Sequence, residues 1–192
     1  MDKVVMDFDD FCEETNELSK LQDLRKYNGT GFKVTLFTIP NKGSVSFLQD
    51  VTTKFPWIQL AIHGWSHEGV GECLKWNKQD ALVYLKKSLD IGVFVHGFKA
   101  PHWLASYETY EACRDLGLWV ALNSVNKTRL PTGLKTYFFD APSKEGIIQT
   151  HGHITKSSGN YIGDHFNNYC LGKGYEYLFI DDLIRLDGDQ FN

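Results

Sequence analysis

The sequence predicts an α/β fold with a single domain, an incomplete (β/α) barrel of six or seven parallel strands whose site lies at the carboxyl ends of the strands. Apolar segments of strand length alternate with amphipathic segments of helix length along the 192 residues. The segments between strands are long enough for the crossover that a parallel pair requires. Acids, histidines and a lysine follow several of the strand segments, where α/β enzymes place their sites.

The N-terminal half of the chain alternates strand and helix from its first residues. The apolar run at 3–8 predicts a buried strand, and leucines at helical spacing in 13–27 predict a helix that ends at the turn-forming YNGTG. The β-branched and aromatic segment 32–39 predicts the second strand. A helix with a serine cap at 44–55 and a strand at 57–62 complete this half.

The C-terminal half continues the alternation. Residues 78–92 predict an amphipathic helix, because Ala and Leu side chains share one face and Gly92 ends it. The remaining segments predict strands at 93–98, 119–124, 135–140 and 146–151, a helix at 105–117, and a strand that runs into a terminal helix at 174–186. Since the chain has no repeat, linker or low-complexity tract, a single domain spanning 1–192 is expected.

Composition and charge disfavour several classes of protein. A net charge of −4 without a Lys/Arg cluster disfavours a nucleic-acid partner. The four cysteines lie far apart with no C-x-x-C pair, which predicts reduced thiols instead of a cysteine zinc site or a disulfide framework. The chain shows neither a signal peptide nor an apolar membrane span, so we expect a protein that is cytoplasmic as synthesised and does not engage a membrane. The oligomeric state has no signature in the sequence.

Polar side chains collect where the predicted strands end. Asp7, Asp9 and Asp10 end the first strand, and acids this close repel one another unless a cation or hydrogen-bond donors compensate them. The alternative is a solvated loop that caps the following helix. His63 and His67 follow the third strand, and both rings can reach one metal ion only if the chain turns between them. Two histidines and one carboxylate are a common hydrolytic zinc set.

Two further strand ends carry candidate residues. They are Lys99, Pro101, His102 and Trp103 after the segment 93–98, and His151 and His153 after the segment 146–151. Clustered histidine is only probabilistic evidence of function. Apart from His151 and the pair after the third strand, the histidines are therefore interpreted as structural: His96, His102, His153 and His165.

Four short motifs follow one another along the chain: MDFDDF, HGWSH, FKAPHW and IIQTHGH. In that order they resemble T-F-D-D-G, H-[ST]-x-x-H, R-x-P-[YW] and the strand ending in L-x-H of the polysaccharide deacetylases, which are carbohydrate esterase family four or the NodB-homology domain. The C-terminal GYEYLFIDDL is similar to the closing segment of that family. The resemblance implies that 1–192 is one deacetylase-like catalytic domain.

The resemblance also implies an activity. The expected protein is a metal-dependent hydrolase that removes N-acetyl or O-acetyl groups from a sugar or polysaccharide by attack of a metal-bound water. Asp10, His63 and His67 would be the ligands of one divalent ion, with zinc as the default and cobalt, nickel or manganese as alternatives. The expected substrate is an N-acetylated carbohydrate or a small amide.

Six further residues receive roles from the same resemblance. Asp9 would be the general base, His151 the general acid, and Lys99 stands where an arginine normally supports the base. The groove for the substrate would be lined by Trp65, Pro101 and Trp103.

The chain departs from the family pattern at four points, one of which is Phe11 in place of the glycine that follows the two acids of the first motif. Lys99 cannot copy the bidentate fork of arginine, Gly64 replaces a hydroxyl residue of the second motif, and the fourth motif D-x-x-D-[WY] is absent. The alternatives are a hydrolase of a non-sugar C–N amide bond on the same fold, a catalytically silent glycan-binding relative, and a non-haem iron oxygenase, whose sites usually sit on antiparallel sheets. Asp9 together with His151 favours the enzyme, because a binding protein needs neither a base nor an acid.

Overall fold

The computed structural model describes residues 2–124, 129–140, 146–156 and 158–186; residues 187–192, which the predicted domain includes, lie outside this part. The strands are β1 (Lys3–Phe11), β2 (Val34–Thr38), β3 (Ile58–Ile62), β4 (Phe94–Phe98), β5 (Trp119–Leu122), β6 (Thr136–Phe138), β7 (Ile147–His153) and β8 (Glu176–Leu178). The α-helices are α1 (Leu18–Asn28), α2 (Val45–Lys54), α3 (Lys78–Leu89), α4 (Tyr107–Asp115) and α5 (Ile180–Leu186). Within the described ranges, no helix combines the length and the apolar composition that crossing a membrane demands.

The strands form one parallel sheet in the order β6-β5-β4-β3-β2-β1-β7. The short strand β8 pairs with Lys3 to Val5 of β1, while β2 pairs with the later residues of β1 from Asp7 onward. The sheet curls into a half-barrel, and no pairing joins β6 to β7 among the described residues. The predicted α/β fold with an incomplete parallel barrel is confirmed.

The observed boundaries differ from the prediction at the two strands that carry acids and histidines and at the first helix. β1 runs to Phe11 instead of ending at residue 8, because the amide of Ile39 donates a hydrogen bond to its carbonyl. β7 ends at His153 instead of residue 151. The first helix begins at Leu18 instead of residue 13, because the left-handed backbone of Glu17, with φ 45°, interrupts it. Both acids after Phe8 therefore lie inside a strand.

Side chains of β1 alternate between two environments, as they do on any strand. Val4, Met6 and Phe8 belong to the apolar core that also includes the helices. Val5 belongs to a second apolar cluster inside the half-barrel, with Phe37, Ala61, Trp119, Ala121, Tyr137, Leu178, Ile180 and Leu183. Because Asp7 and Asp9 follow Val5 at intervals of two residues, they share its face, and the interior changes from apolar to charged toward the carboxyl end of the strand.

Candidate functional site

A local distortion of β1 separates the two adjacent acids. The register between β1 and β2 shifts between Phe8 and Phe11, and Asp10 has a φ of 67°, in the left-handed region. An irregularity of this kind re-aims a side chain next to a functional site. Asp9 keeps the interior face of the strand, while Asp10 turns toward the end of β3.

The carboxylate of Asp10 and two imidazoles form a group that we name the Asp10 cluster: Asp10, His63 and His67. Asp10 Oδ1 lies 3.5 Å from His63 Nε2 and 3.1 Å from His67 Nε2. Two ligands of a tetrahedral zinc ion, each bonded at about 2.0–2.1 Å, lie about 3.3–3.4 Å apart. The donor set and its spacing therefore fit a divalent cation.

Hydrogen bonds orient the ligand atoms of the Asp10 cluster. His63 Nδ1 lies 2.9 Å from the carbonyl oxygen of Lys99, and donation to that oxygen leaves Nε2 with its lone pair toward Asp10. Asp10 Oδ2 accepts hydrogen bonds from Thr155 Oγ1 at 2.8 Å and Ser158 Oγ at 3.0 Å, which leaves Oδ1 to face the imidazoles. Partners of this type fix the orientation of metal ligands.

The two histidines converge because the chain turns between them, as the prediction requires. The turn is not helical: Gly64 and His67 have φ values of 66° and 54°. The carboxylate of Glu72 holds it, accepting from the amides of Trp65, Ser66 and His67 at 3.2, 3.0 and 2.8 Å. No sequence pattern indicates this role of Glu72, which depends on the folded turn.

Glycine is required at position 64 by space as well as by backbone angle. A Cβ atom there would lie 2.7 Å from Glu72 Oε2 and 2.8 Å from Pro101 Cγ, at a φ of 66°. Either contact is too short for a carbon atom, and positive φ disfavours residues with a side chain. The absence of Ser or Thr in the second motif is therefore a consequence of how this turn packs against Pro101.

The ammonium of Lys99 lies inside the half-barrel beside the other acids. Lys99 is 1% exposed, and its Nζ donates to Asp9 Oδ1 at 2.7 Å, with Asp7 Oδ1 at 3.5 Å. Trp103 and Phe37 lie beneath it, with ring centroids 3.9 and 4.7 Å from Nζ. Burial alone would raise the pKa of Asp9, but the charges of Lys99 and the neighbouring imidazoles hold that pKa below its usual value. The alternative of a solvated acidic loop is wrong, and Lys99 does not face solvent.

Strand register brings the histidines of β7 to the acids of β1. Asp7 pairs with His151 and Asp9 pairs with His153 across the two strands. His151 Nδ1 lies 2.7 Å from Asp7 Oδ1, and we assign the proton to this nitrogen because the carboxylate can only accept. His151 Nε2 then faces Asp9 Oδ2 at 3.8 Å. Asp7 received no role from the sequence, although its spacing of two from Asp9 was a signal that both face the interior.

His153 completes a second group, which we name the Asp9 cluster: Asp9, His151 and His153. His153 Nδ1 lies 2.6 Å from the carbonyl oxygen of Gly159, and its Nε2 lies 3.9 Å from Asp9 Oδ2. Burial lowers the pKa of His153, so its neutral form is favoured. The carbonyl bond agrees with a structural histidine, yet the ring also faces the site.

A cleft of about 320 Å³ opens over both clusters. It is lined by Asp9, Asp10, His63, His67, His102, Trp103, His153 and Ser158. Of the three residues expected in the substrate groove, Trp103 lines this cleft, Pro101 is buried against the Gly64 turn, and Trp65 stacks on Tyr84 at a centroid distance of 5.7 Å. His96 and His165 are exposed and lie outside its lining.

Comparison with known proteins finds similarity in structure. No protein-family model matches the chain, and no curated protein matches it in sequence. The Xyl-CE4 domain of a multidomain xylanase from the hindgut metagenome of Trinervitermes trinervoides superposes with a TM-score of 0.63 at 17% identity, covering 100% of this chain and 93% of that one. A family 4 acetyl xylan esterase from Clostridium thermocellum, in complex with cobalt, gives 0.62 at 14% identity, covering 97% and 92%.

A third structure with the same architecture is that of a protein described as a pseudoenzyme. It is a CE4 family pseudoenzyme from Bacillus anthracis, with a TM-score of 0.60 at 13% identity, covering 95% of this chain and 65% of that one. At these identities the matches establish architecture, and they agree with the strand order and the incomplete barrel described above. The chain has the fold of the polysaccharide deacetylases, the NodB-like fold of carbohydrate esterase family four.

Proposed function

We propose that this protein is a metal-dependent hydrolase that removes acetyl groups from an acetylated carbohydrate. One observation carries the proposal: a buried carboxylate and an imidazole, Asp9 and His151, flank the Asp10 cluster, and each has an orienting partner of its own. Structures with the same fold are described as an acetyl xylan esterase and a chitin deacetylase, which supports an acetylated sugar as the substrate.

The Asp10 cluster would hold one divalent cation, with zinc as the default. Its ligands would be Asp10 Oδ1, His63 Nε2 and His67 Nε2. A cation bound there supplies a Lewis acid that polarises the acetyl carbonyl and offsets the negative charge that develops on its oxygen. Two imidazoles and a carboxylate also suit cobalt, nickel or manganese, and the related acetyl xylan esterase was solved with cobalt.

Asp9 would accept the proton of the attacking water. Its Oδ1 is held by Lys99, so Oδ2 is the atom available for proton transfer. Because its pKa is held below the usual range, the carboxylate is ionised at neutral pH and ready to accept. In this site Lys99 supplies the positive charge with an ammonium, not with the guanidinium expected from the family.

His151 would donate a proton to the departing nitrogen or oxygen. With Nδ1–H directed at Asp7, the atom that exchanges protons is Nε2, which faces the cleft side of Asp9. The buried Asp7 carboxylate stabilises the imidazolium before donation and fixes the ring orientation, as the aspartate of a catalytic triad does for its histidine. In this arrangement His151 is the general acid and Asp7 is the residue that positions it.

One wall of the cleft suits a sugar ring. Trp103 forms one wall, and its ring stacks on Phe139 at a centroid distance of 4.7 Å, which fixes the indole plane. An aromatic plane of this kind packs against the apolar face of a sugar ring. We assign Pro101 and Trp65 to the support of the groove, through the Gly64 turn and Tyr84 respectively.

Two other functions remain as competitors. A catalytically silent glycan-binding protein is favoured by the pseudoenzyme that shares this fold. A hydrolase of a non-sugar amide is compatible with the same cluster chemistry. The silent alternative gives no reason for burying Asp9 and His151 with partners that orient them for proton transfer.

Acetate release tests the proposal directly. Protein loaded with one equivalent of zinc is incubated with acetylated xylan, chitin oligosaccharides and a simple non-sugar acetamide, and acetate is quantified. We expect release from a carbohydrate, and a loss of about 10²–10⁴-fold in kcat for Asp9→Asn with its zinc content retained. Asp23→Asn, an exposed acid on α1, is the matched control. Release from the acetamide alone would favour the hydrolase of a non-sugar amide. Binding of a glycan without any acetate release would favour the silent glycan-binding protein.

A further inference from the structure

We propose that the Asp9 cluster is a second divalent-cation site, of lower affinity than the Asp10 cluster. Its ligands are Asp9 Oδ2, His151 Nε2 and His153 Nε2, and the three residues each offer one donor atom within 4.8 Å of the others. Two imidazoles and one carboxylate are a donor set that zinc, cobalt and nickel all accept.

Both histidines of the Asp9 cluster are oriented as metal ligands are. A ligating histidine characteristically donates its other ring N–H to a carboxylate or a backbone carbonyl. His151 Nδ1 lies 2.7 Å from the Asp7 carboxylate, and His153 Nδ1 lies 2.6 Å from the carbonyl of Gly159. Each Nε2 is left with its lone pair directed toward Asp9 Oδ2, at 3.8 and 3.9 Å.

Those separations are close to what a bound ion needs. Ligand atoms of tetrahedral zinc lie about 3.3–3.4 Å apart, so each nitrogen has to approach the carboxylate by about half an ångström. The residues sit on paired positions of β1 and β7, with Asp9 opposite His153, and so the backbone already holds the ligands together. Asp9 Oδ1 is occupied by Lys99, which leaves Oδ2 as the oxygen for the ion.

The same lysine sets the order of affinity. Lys99 Nζ lies 2.7 Å from Asp9 and 3.3 Å from His151 Nδ1, so a cation in the Asp9 cluster meets a buried positive charge across its own ligands. In the Asp10 cluster, by contrast, the second carboxylate oxygen accepts from the neutral hydroxyls of Thr155 and Ser158. The Asp10 cluster therefore fills first.

Occupancy of the second site has a consequence for catalysis, and this consequence rests on the proposed function. An ion bound to Asp9 Oδ2 and His151 Nε2 takes the lone pairs with which these atoms accept and donate protons. Acetate release then falls when metal exceeds one equivalent. Binding of the ion itself depends only on the geometry of the three ligands.

Cobalt binding to the metal-free full chain tests the site without reference to activity. Equilibrium dialysis and the visible spectrum of bound cobalt should give two equivalents for the wild type, the second weaker. His153→Gln should keep the tight equivalent alone, and His67→Gln should keep the weak one with the tight site impaired. The exposed His165→Gln is the matched control and should bind two. One equivalent for the wild type, or two of unchanged affinity for His153→Gln, would overturn the proposal.

Zinc inhibition separates this proposal from the proposed function. Acetate release by the wild type should fall as the second equivalent binds, and His153→Gln should need at least about tenfold more zinc for half-inhibition. Two equivalents of bound cobalt at saturation, together with no acetate release when only the tight site is filled, would leave the second site in place and refute the hydrolase. Release that is indifferent to filling of the second site would overturn the inhibitory role. Circular dichroism of each variant confirms that loss of binding is not loss of fold.

Discussion

The Asp10 cluster and the Asp9 cluster contain the same residue types, one carboxylate and two imidazoles, yet their surroundings differ. Around Asp10 the polar partners are the hydroxyls of Thr155 and Ser158 and the backbone carbonyl that accepts from His63. Around Asp9 an ammonium, Lys99, and a further buried acid, Asp7, take part. Neutral partners favour holding a cation, whereas charged partners favour moving a proton.

The local distortion of β1 at Asp10 allows the two adjacent acids to belong to different clusters. Adjacent residues of a regular strand would face opposite sides of the sheet, which would send one acid into the apolar core. With φ at 67°, Asp10 instead reaches the histidines after β3 while Asp9 stays beside β7. Both acids have pKa values below the usual range despite burial, Asp9 through the charge of Lys99 and Asp10 through its hydrogen bonds, which include the one that Thr155 donates. The contrast therefore lies in the partner that stabilises each charge.

Removing a ligand from the Asp10 cluster should have the largest effect on metal binding and on acetate release. His63→Ala leaves two of three ligands, so the tightly bound metal should be lost at one equivalent, and acetate release with it. The loss in affinity should exceed the roughly 10–100-fold that removal of an orienting partner costs. Metal analysis after gel filtration measures it, with His96→Ala, an exposed residue of β4, as the control. Full metal occupancy in folded His63→Ala would contradict the assignment of the cluster.

Altering a charged partner of the Asp9 cluster should instead leave the metal in place. Asp7→Asn replaces the acceptor of the His151 Nδ1 proton with an amide that can present its NH₂ group, which disfavours the working tautomer. We expect kcat to fall about 10²–10⁴-fold with one equivalent of zinc still bound tightly. Steady-state acetate release and metal content measure the two effects in one preparation, with Asp23→Asn as the control.

If Asp7→Asn lost metal as readily as His63→Ala does, the two clusters would not be separate in function. An unchanged kcat would show that His151 needs no orienting carboxylate and would weaken its assignment as the acid.

The sequence predicted the barrel and most of the site because the signals were local. Alternating strand and helix periodicity is legible residue by residue, and His63, His67, Asp10, Asp9 and His151 come together at strand ends as parallel topology requires. Asp7, Glu72 and Thr155 were missed for a physical reason. Their roles come from register across β1 and β7, from a left-handed turn, and from a loop after β7, and none of these has a periodic sequence signature.

Lys99 tests whether charge is what distinguishes the Asp9 cluster. Its ammonium lowers the pKa of Asp9 against the opposing effect of burial. In Lys99→Met burial remains and the ammonium is gone, so the pKa of Asp9 should rise and the base should stay protonated to higher pH. We expect the acidic limb of the kcat/KM profile to move upward by roughly one to three pH units.

The Lys99 experiment needs a control for stability. Removing one partner of a buried ion pair costs roughly 3–5 kcal/mol, so thermal unfolding is measured alongside activity. Lys99→Arg keeps the charge and should restore the acidic limb in part, because a cleft shaped around an ammonium does not present matched oxygens to a planar guanidinium. Lys86→Met on the exposed face of α3 is the neutral control. If the pH profile of folded Lys99→Met superimposes on that of the wild type, Lys99 has no electrostatic effect on the pKa of Asp9.

The smallest expected effect concerns the neutral hydroxyl partners of the Asp10 cluster. Thr155→Val removes one of the two hydroxyl donors to Asp10 Oδ2 with little change in shape, and Ser158 Oγ at 3.0 Å remains. Loss of an orienting donor of this kind should weaken the tight cobalt equivalent by about tenfold, the lower end of the range for such partners. The second equivalent and the acidic limb of the pH profile should not move, because Asp9 and Lys99 keep their contacts. Equilibrium dialysis against the exposed control Thr53→Val measures the difference. If Thr155→Val shifted the acidic limb as Lys99→Met does, the hydroxyl of Thr155 would also influence the ionisation of the base. The Asp10 cluster and the Asp9 cluster would then not have separate roles.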